Sequence, residues 1–279
     1  MITIYLMGGL GNQLFQIAHC MAYALRNKKA FFFTYSDQLL IGEPRPTYWN
    51  NFLKHLKSFT KEVIPNQNQI VRVNEPQFEY INYPQNMDNI EFFGYFQSYK
   101  YFEDQFANIL KLIRFYTFRD SIFSKFPYKL NKPIISLHIR LGDYKHKQQY
   151  HPVMPVSYYV NALKHILKSQ KSTDFSVLYF YELDDVELVN NDYLSKLKTV
   201  FPDLNFISVD NNLEDWEQMV LMSCCSHNII ANSSFSWWGA YLNQNENKIV
   251  CYPETWFGPS MGNKKLDDLF PKNWVKVKL

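Results

Sequence analysis

Apolar positions change their period along the chain, and each change marks an element. Residues Ile2 to Met7 form a short β-branched run that stops at Gly8 and Gly9, the pattern of a buried strand entering a tight turn. From Gln13 onward, Leu14, Ile17, Ala18, Met21, Ala22 and Leu25 recur at helical spacing and predict a helix with one continuous apolar face. The stretch Asp37 to Asn89 breaks this order: it is polar, interrupted by Pro44, Pro46, Pro65, Pro76 and Pro84, and has no sustained periodicity. Periodicity returns in the aromatic run Glu91 to Tyr101, read as a strand and a turn into a helix near Asp104 to Arg114.

The second half alternates more regularly. Strands are predicted at Ile134 to Ile139, Val177 to Tyr181, Asn205 to Val209, Asn228 to Ala231 and Ile249 to Tyr252. One intervening helix is expected to start at Ser157 as N-cap, with Tyr159, Leu163, Ile166 and Leu167 on one face; another runs from Leu213 through Trp216, Met219 and Val220. Such alternation predicts a parallel, doubly wound α/β sheet. The polar stretch Arg119 to Lys132, with Pro127 and Pro133, separates an N-terminal domain, residues 1–125, from a C-terminal domain, residues 126–279. Both are expected to be Rossmann-like, with the last helix or tail packing back on the N-terminal domain. Ligands of open α/β sheets bind beyond the carboxyl ends of the strands, so chemistry is sought just after each strand.

Composition narrows the classes. Hydrophobic residues at 47% and charged residues at 20% describe a folded globular chain, and a net charge of +3 is too small to argue for nucleic acid. Aromatic residues reach 18%, enough to offer stacking faces to sugars or bases, although the same residues fill cores. The segment Phe270 to Leu279 carries Lys272, Lys276, Lys278 and Trp274; it reads as a last strand or solvated tail, or as a weak peripheral contact with an anionic membrane surface. No run approaches the ~18 apolar residues of a spanning helix, and MITIYLMGG lacks a basic n-region, so the expected location is the cytoplasm or the inner face of its membrane. Cys20, Cys224, Cys225 and Cys251 show no metal or redox spacing and read as reduced, structural thiols.

Three strand ends carry candidate chemistry: GGLGNQLFQ from Gly8, HIRLGDY from His138 and NSSFSWWGA from Asn232. In the first, Gly9 and Gly11 let backbone approach a ligand, and Asn12 and Gln13 present amides at a helix N-terminus. A plain tight turn is the alternative. As a dinucleotide fingerprint the segment fails, because Leu14 stands where a third glycine belongs. In the second, an apolar strand delivers His138, Arg140 and Asp143 within six positions, and the guanidinium of Arg140 suits a diphosphate. Asp143 serves either as a catalytic group or as the ion-pair partner of Arg140. In the third, Ser233 and Ser234 open a helix ahead of Phe235, which makes either an anion cradle or an ordinary N-cap. The nearest approach to a cation-binding Asp-x-Asp motif is Glu182-Leu183-Asp184-Asp185, which reads more simply as a solvated acidic loop or first helical turn. A metal-independent site follows.

Together these segments closely resemble the α-1,2-fucosyltransferase family, glycosyltransferase family 11, whose members show a GGLGNQ-like start, an HxRxGDY motif and an SSFSWW motif in this order. Gly94-Tyr95-Phe96-Gln97-Ser98 and the pair Asp184 and Asp185 extend the likeness; where the family has Phe-Ser before that pair, this chain has Tyr181-Glu182-Leu183. The resemblance implies a GT-B arrangement of two Rossmann-like domains with the active site in the cleft between them, GDP-fucose as donor, no metal, and inversion at the fucose anomeric carbon. It implies that Arg140 grips the diphosphate, that His138 lies near the guanine or phosphates, and that Ser233 and Ser234 lie near the β-phosphate with Phe235 beside them. Glu217 is the matching candidate for reading the guanine edge. The implied acceptor is the 2-hydroxyl of a terminal galactose in an oligosaccharide, lipopolysaccharide or glycolipid.

An inverting displacement must neutralise charge on the leaving group and accept a proton from the acceptor. Arg140 and the serine helix end can do the first. Asp143 is assigned the second, with Asn12 positioning donor or acceptor. An NAD(P)-dependent oxidoreductase on the same fold and a non-catalytic carbohydrate-binding protein are the competing readings.

Overall fold

The computed structural model of the chain describes residues 1–40, 43–63, 69–125 and 132–279. They form two compact units, residues 1–118 with 264–271 and residues 119–263 with 272–279. The boundary expected at 125/126 abuts residues 126–131, which with Pro127 lie outside the described residues; the division falls earlier, between Phe118 and Arg119. Pro65 is also outside them.

In the first unit, β1 (Ile2–Ile4) leads through Gly8 and Gly9 into α1 (Leu10–Arg26). The helix starts earlier than its first apolar repeat suggests, because Gly9 takes the extended N-cap conformation and its carbonyl accepts the Gln13 amide. Short strands β2 (Phe33–Thr34), β3 (Gln38–Leu39), β4 (Arg45–Pro46) and β5 (Thr60–Lys61) follow, then β6 (Val71–Asn74) and β7 (Ile90–Phe93). β1, β7 and β6 make a parallel sheet in that order, β2 pairs with β5 in parallel, and β3 pairs with β4 antiparallel. Helix α2 (Phe106–Ile113) closes the segment, and α3 (Phe115–Lys125) begins there and runs on past the division, with Arg114 in the left-handed conformation as the turn between them.

Helix α1 is buried on nearly every side rather than on one face: Gln13, Gln16 and His19 are as enclosed as the leucines. Much of the aromatic content fills this core. His19 stacks on Phe96 with ring centroids 4.1 Å apart and meets the edges of Phe92 and Tyr101 at 4.4 and 4.6 Å.

The second unit contains β8 (Ile134–His138), α4 (Val156–Gln170), β9 (Ser176–Phe180), α5 (Val186–Leu188), α6 (Ser195–Val200) and β10 (Asn205–Ser208). It continues with α7 (Asp215–Ser223), β11 (His227–Ile229), α8 (Ser234–Tyr241), β12 (Val250–Pro253) and β13 (Val275–Val277). All six strands are parallel in the order β10-β9-β8-β11-β12-β13, the doubly wound 3-2-1-4-5-6 arrangement. Such strands are buried on both faces, which is why Ser176–Phe180 reads as a continuous apolar run and is buried at every position. Helix α4 begins at Val156 after Pro155, not at a Ser157 cap; the fixed φ of proline suits that junction.

The C-terminal segment is a structural strand. Val275 pairs with Cys251, and Trp274 is buried 5.5 Å from Trp237. Its aromatic ring is therefore committed to the core, which removes the anchor on which a membrane contact was expected. Among the described residues no helix is long and apolar enough to cross a membrane. All four cysteines are free, and burial raises each thiol, that of Cys224 to about 11.

Candidate functional site

Strand order in the second unit reverses between β8 and β11, and a crevice opens beyond the carboxyl ends of strands at such a point. Two of the three sequence motifs emerge there. His138 ends β8 and Arg140 follows two residues later; Asn232 to Ser234 follow β11 and open α8. The two segments touch: the Tyr144 hydroxyl donates to the Asn232 carbonyl at 3.2 Å, and the rings of His138 and Phe235 lie 5.5 Å apart. His138, Arg140, Asp143, Ser233, Ser234 and Phe235 are thus assembled by one sheet.

Ser233 is the N-cap of α8, its Oγ accepting the Phe235 amide at 3.3 Å. One hydroxyl therefore does ordinary capping, while half-buried Ser234 begins the helix with the first backbone N–H groups. Asn232 is buried and donates to the carbonyls of Pro152 and Trp256 at 2.9 and 3.1 Å, so it ties loops together.

Arg140 is mostly covered, and two carboxylates hold it. Asp143 Oδ1 lies 2.5 Å from one terminal nitrogen and Glu182 binds the other, while the Tyr144 ring faces the guanidinium at 4.9 Å. The turn between Arg140 and Asp143 depends on Gly142, whose φ is +40° and whose missing side chain leaves room for the Glu182 carboxylate. The Gly142 amide donates to Asp185 Oδ2 at 2.7 Å, and Lys145 pairs with the other oxygen of that buried carboxylate. Asp185 is thus spent on holding the loop, and only Asp184 of the acidic pair faces solvent. Among the described residues no group of three or more His, Cys, Asp or Glu side chains is placed to hold a metal ion.

Electrostatics follow from these contacts. Burial, with the Arg140 charge beside it, lowers His138 to about 3, so its imidazole is neutral and its Nδ1 has no protein partner. Burial alone would raise the Asp143 carboxyl, but the hydrogen bond from Lys147 and the charges of Arg140 and Lys147 hold it below the usual carboxylate range. Both Asp143 oxygens face cations, with Lys147 at 3.1 Å from Oδ2. That arrangement favours the ion-pair reading of Asp143 over a proton acceptor. Glu217 is likewise engaged: its carboxylate accepts the Glu214 amide at 3.0 Å in a capping box at the start of α7, a role that needs no nucleobase.

Gly9, Gly11 and Asn12 belong to the first unit. Asn12 Oδ1 accepts from Gln97 at 2.7 Å, joining two motifs 85 residues apart. The open space over Gly9 leaves that backbone accessible, whereas Leu14, in the place of a third glycine, is buried. Gln13, expected from the sequence to present its amide to a ligand, is instead a buried staple that donates to the Gly8 and Pro46 carbonyls at 2.9 Å each; Gln16, to which sequence reasoning assigned no role, receives the Met7 amide and donates to Gly94. Sequence reasoning also missed Glu75, which accepts the Tyr95 and Phe96 amides and so shapes the Gly94 turn. A pair of amides three residues apart among the apolar repeats of α1 was the available signal.

A parallel sheet with an arginine and a serine-capped helix near its switch point is a doubly wound α/β arrangement suited to an anionic ligand. In fold the whole chain is similar to the Escherichia coli ADP-heptose LPS heptosyltransferase II, at a TM-score of 0.50 and 11% identity over 100% of this chain and 91% of that one, and the class is GT-B-like. The chain belongs to glycosyl transferase family 11, whose family model matches residues 1–278. It is 28% identical to an α-1,2-colitosyltransferase of Escherichia coli over 99% of this chain and 98% of that protein. It is also 37% identical over 152 residues to the O-antigen biosynthesis glycosyltransferase WbnK of Escherichia coli, a match that spans 53% of this chain and 45% of WbnK. The resemblance drawn from the three motifs is thereby confirmed, and the chain is a glycosyltransferase of the fucosyltransferase type.

Proposed function

We propose that this protein transfers L-fucose from GDP-fucose to the 2-hydroxyl of a terminal galactose, with inversion and without a metal ion. One observation supports the reading: the turn that carries Arg140 and the serine-capped N-terminus of α8 follow the adjacent strands β8 and β11 at the switch point, and Tyr144 and His138 of the first segment touch Asn232 and Phe235 of the second. A diphosphate there receives a charge-assisted fork from Arg140 and backbone N–H groups from α8, which together offset the negative charge that develops on departing GDP. Neutral His138 adds a hydrogen-bonding group without adding charge, and Phe235 flanks it. Metal independence is supported by Asp185, whose oxygens are taken by Gly142 and Lys145. Asp143 holds Arg140 in place in this reading.

A second donor is favoured by the relative of nearly equal length named as a colitosyltransferase. Colitose is L-fucose without its 3-hydroxyl. A pocket that hydrogen-bonds this hydroxyl rejects the deoxy sugar by ~10⁴-fold or more, whereas an apolar pocket discriminates far less. Incubation of the protein with GDP-fucose, GDP-colitose, GDP-mannose or UDP-galactose against lactose and N-acetyllactosamine, with EDTA present, tests donor, acceptor and metal together. The expected product is fucosyl-α-1,2-galactoside formed equally with EDTA. A product only with GDP-colitose moves the assignment to the second donor; no product, or one that requires added metal, ends the proposal.

A further inference from the structure

We infer that Glu182 is a displaceable counter-ion, which holds Arg140 in the free enzyme and yields it to the nucleotide diphosphate; the inference rests on the donor reading above. His138 on β8 is in register with Phe180 on β9, and Arg140 and Glu182 each stand two residues beyond that pair. The sheet therefore delivers a guanidinium and a carboxylate to the same place from neighbouring strands, and they form an ion pair there. Gly142 keeps the space clear, since a Cβ at that position would collide with the Glu182 carboxylate.

The two carboxylates on Arg140 are not equivalent. Asp143 is also bound by Lys147, sits in the same turn as Arg140, and is about one-third exposed. Glu182 has no second partner among the described residues, and its side chain is 47% exposed. A guanidinium offers a limited set of coplanar donors, and Asp143 and Glu182 occupy its two terminal nitrogens. A bidentate diphosphate needs one of those edges. Glu182 can release it by rotating into water, whereas Asp143 would have to break two ion pairs. Glu182 thus holds the second terminal nitrogen of Arg140, and every donor molecule binds in competition with it. This residue lies where the family pattern has Phe-Ser, so the competition belongs to this chain's own version of the motif.

Calorimetric titration of GDP into wild-type protein, Glu182→Gln, Asp184→Asn and Arg140→Ala, at low and high salt, tests the inference. Glu182→Gln is expected to tighten GDP binding about threefold to tenfold, the half exposure of the pair capping the effect. The gain narrows at high salt. KM for the donor falls by the same factor while kcat does not rise. Asp184→Asn removes the same charge two residues away from an exposed side chain and leaves GDP affinity within twofold of wild type. Unchanged or weaker GDP binding in Glu182→Gln, or equal tightening in Asp184→Asn, overturns the inference. If wild-type protein and Arg140→Ala bind GDP alike, the donor reading itself has failed, a result distinct from the first.

Discussion

Removing the Asp185 carboxylate should loosen the loop that carries Arg140, and the structure sets the size of the effect. The side chain is 1% exposed and makes two charge-assisted contacts, one from the Gly142 amide at 2.7 Å and one from Lys145. Hydrogen bonds to charged groups contribute about 1.5–3 kcal/mol each. Lys145 is 36% exposed, so its ammonium recovers hydration when the partner is lost, and its share must be discounted to under about 1 kcal/mol. The Gly142 amide has less recourse to water. Asp185→Ala is therefore expected to cost about 2–4 kcal/mol, a fall in Tm of roughly 4–16 °C for a chain of this size. Asp185→Asn keeps an acceptor for Gly142 and should lose about 1 kcal/mol. Scanning calorimetry measures both, and GDP titration should show a weaker site in the alanine variant, because the Arg140 turn is no longer clamped. A Tm for Asp185→Ala within about 1 °C of wild type would refute the reasoning.

Further outcomes follow from other contacts. Asp143→Asn should weaken GDP binding more than it lowers kcat at saturating donor; a collapse of kcat with donor KM unchanged would restore Asp143 as proton acceptor. Arg140→Ala should cost at least about 2 kcal/mol of GDP affinity, some thirtyfold, with circular dichroism unchanged, and a smaller loss would remove it from the diphosphate site. His19 is held well below its ordinary range by burial and the nearby Arg26 charge, and neither ring nitrogen has a protein partner. Because the unfolded chain takes up this proton and the folded one does not, stability should be full above about pH 6.5 and fall as pH drops below it, by up to ~1.4 kcal/mol per pH unit for this group. Denaturant titrations at pH 7 and pH 5 should show a smaller loss in His19→Phe, and parallel losses in the two proteins would contradict the assignment. Gly258→Ala should destabilise, since a Cβ there collides with the Gln149 backbone; a Tm equal to wild type would show that the loop yields freely.

The parallel sheet was legible because its strands are short, mostly apolar runs between helical repeats, and the five strands given bounds from the sequence lie within one or two residues of those bounds, while β13 falls in the segment read as a last strand or a solvated tail. The chemistry-bearing turns were legible for a related reason: polar residues that interrupt apolar runs at strand ends have few places to go. What could not be read was pairing across the sheet. Arg140 and Glu182 are 42 positions apart, and only the adjacency and register of β8 and β9 bring them together. Helix α1 shows another limit. Its apolar spacing marked one buried face, yet Gln13, Gln16 and His19 are enclosed as well, two with backbone partners that no local pattern announces. Residues 37–89 hid several two-residue strands, too short for any period to register.

The path of the last stretch of chain bears on how the protein is made. Residues 264–271 belong to the first unit, where Asp268 accepts from Ser98 and Tyr80 and pairs with Lys100, and residues 275–277 then supply the edge strand of the second. A ribosome delivers residues 1–118 well before residues 264–271, and residues 119–263 before residues 272–279. Neither unit can therefore complete its native contacts during synthesis until residue 268, for the first, and residue 277, for the second, has left the exit tunnel. Nascent chains stalled before residue 264 should be captured by chaperones and cut by proteases at sites that the finished protein protects.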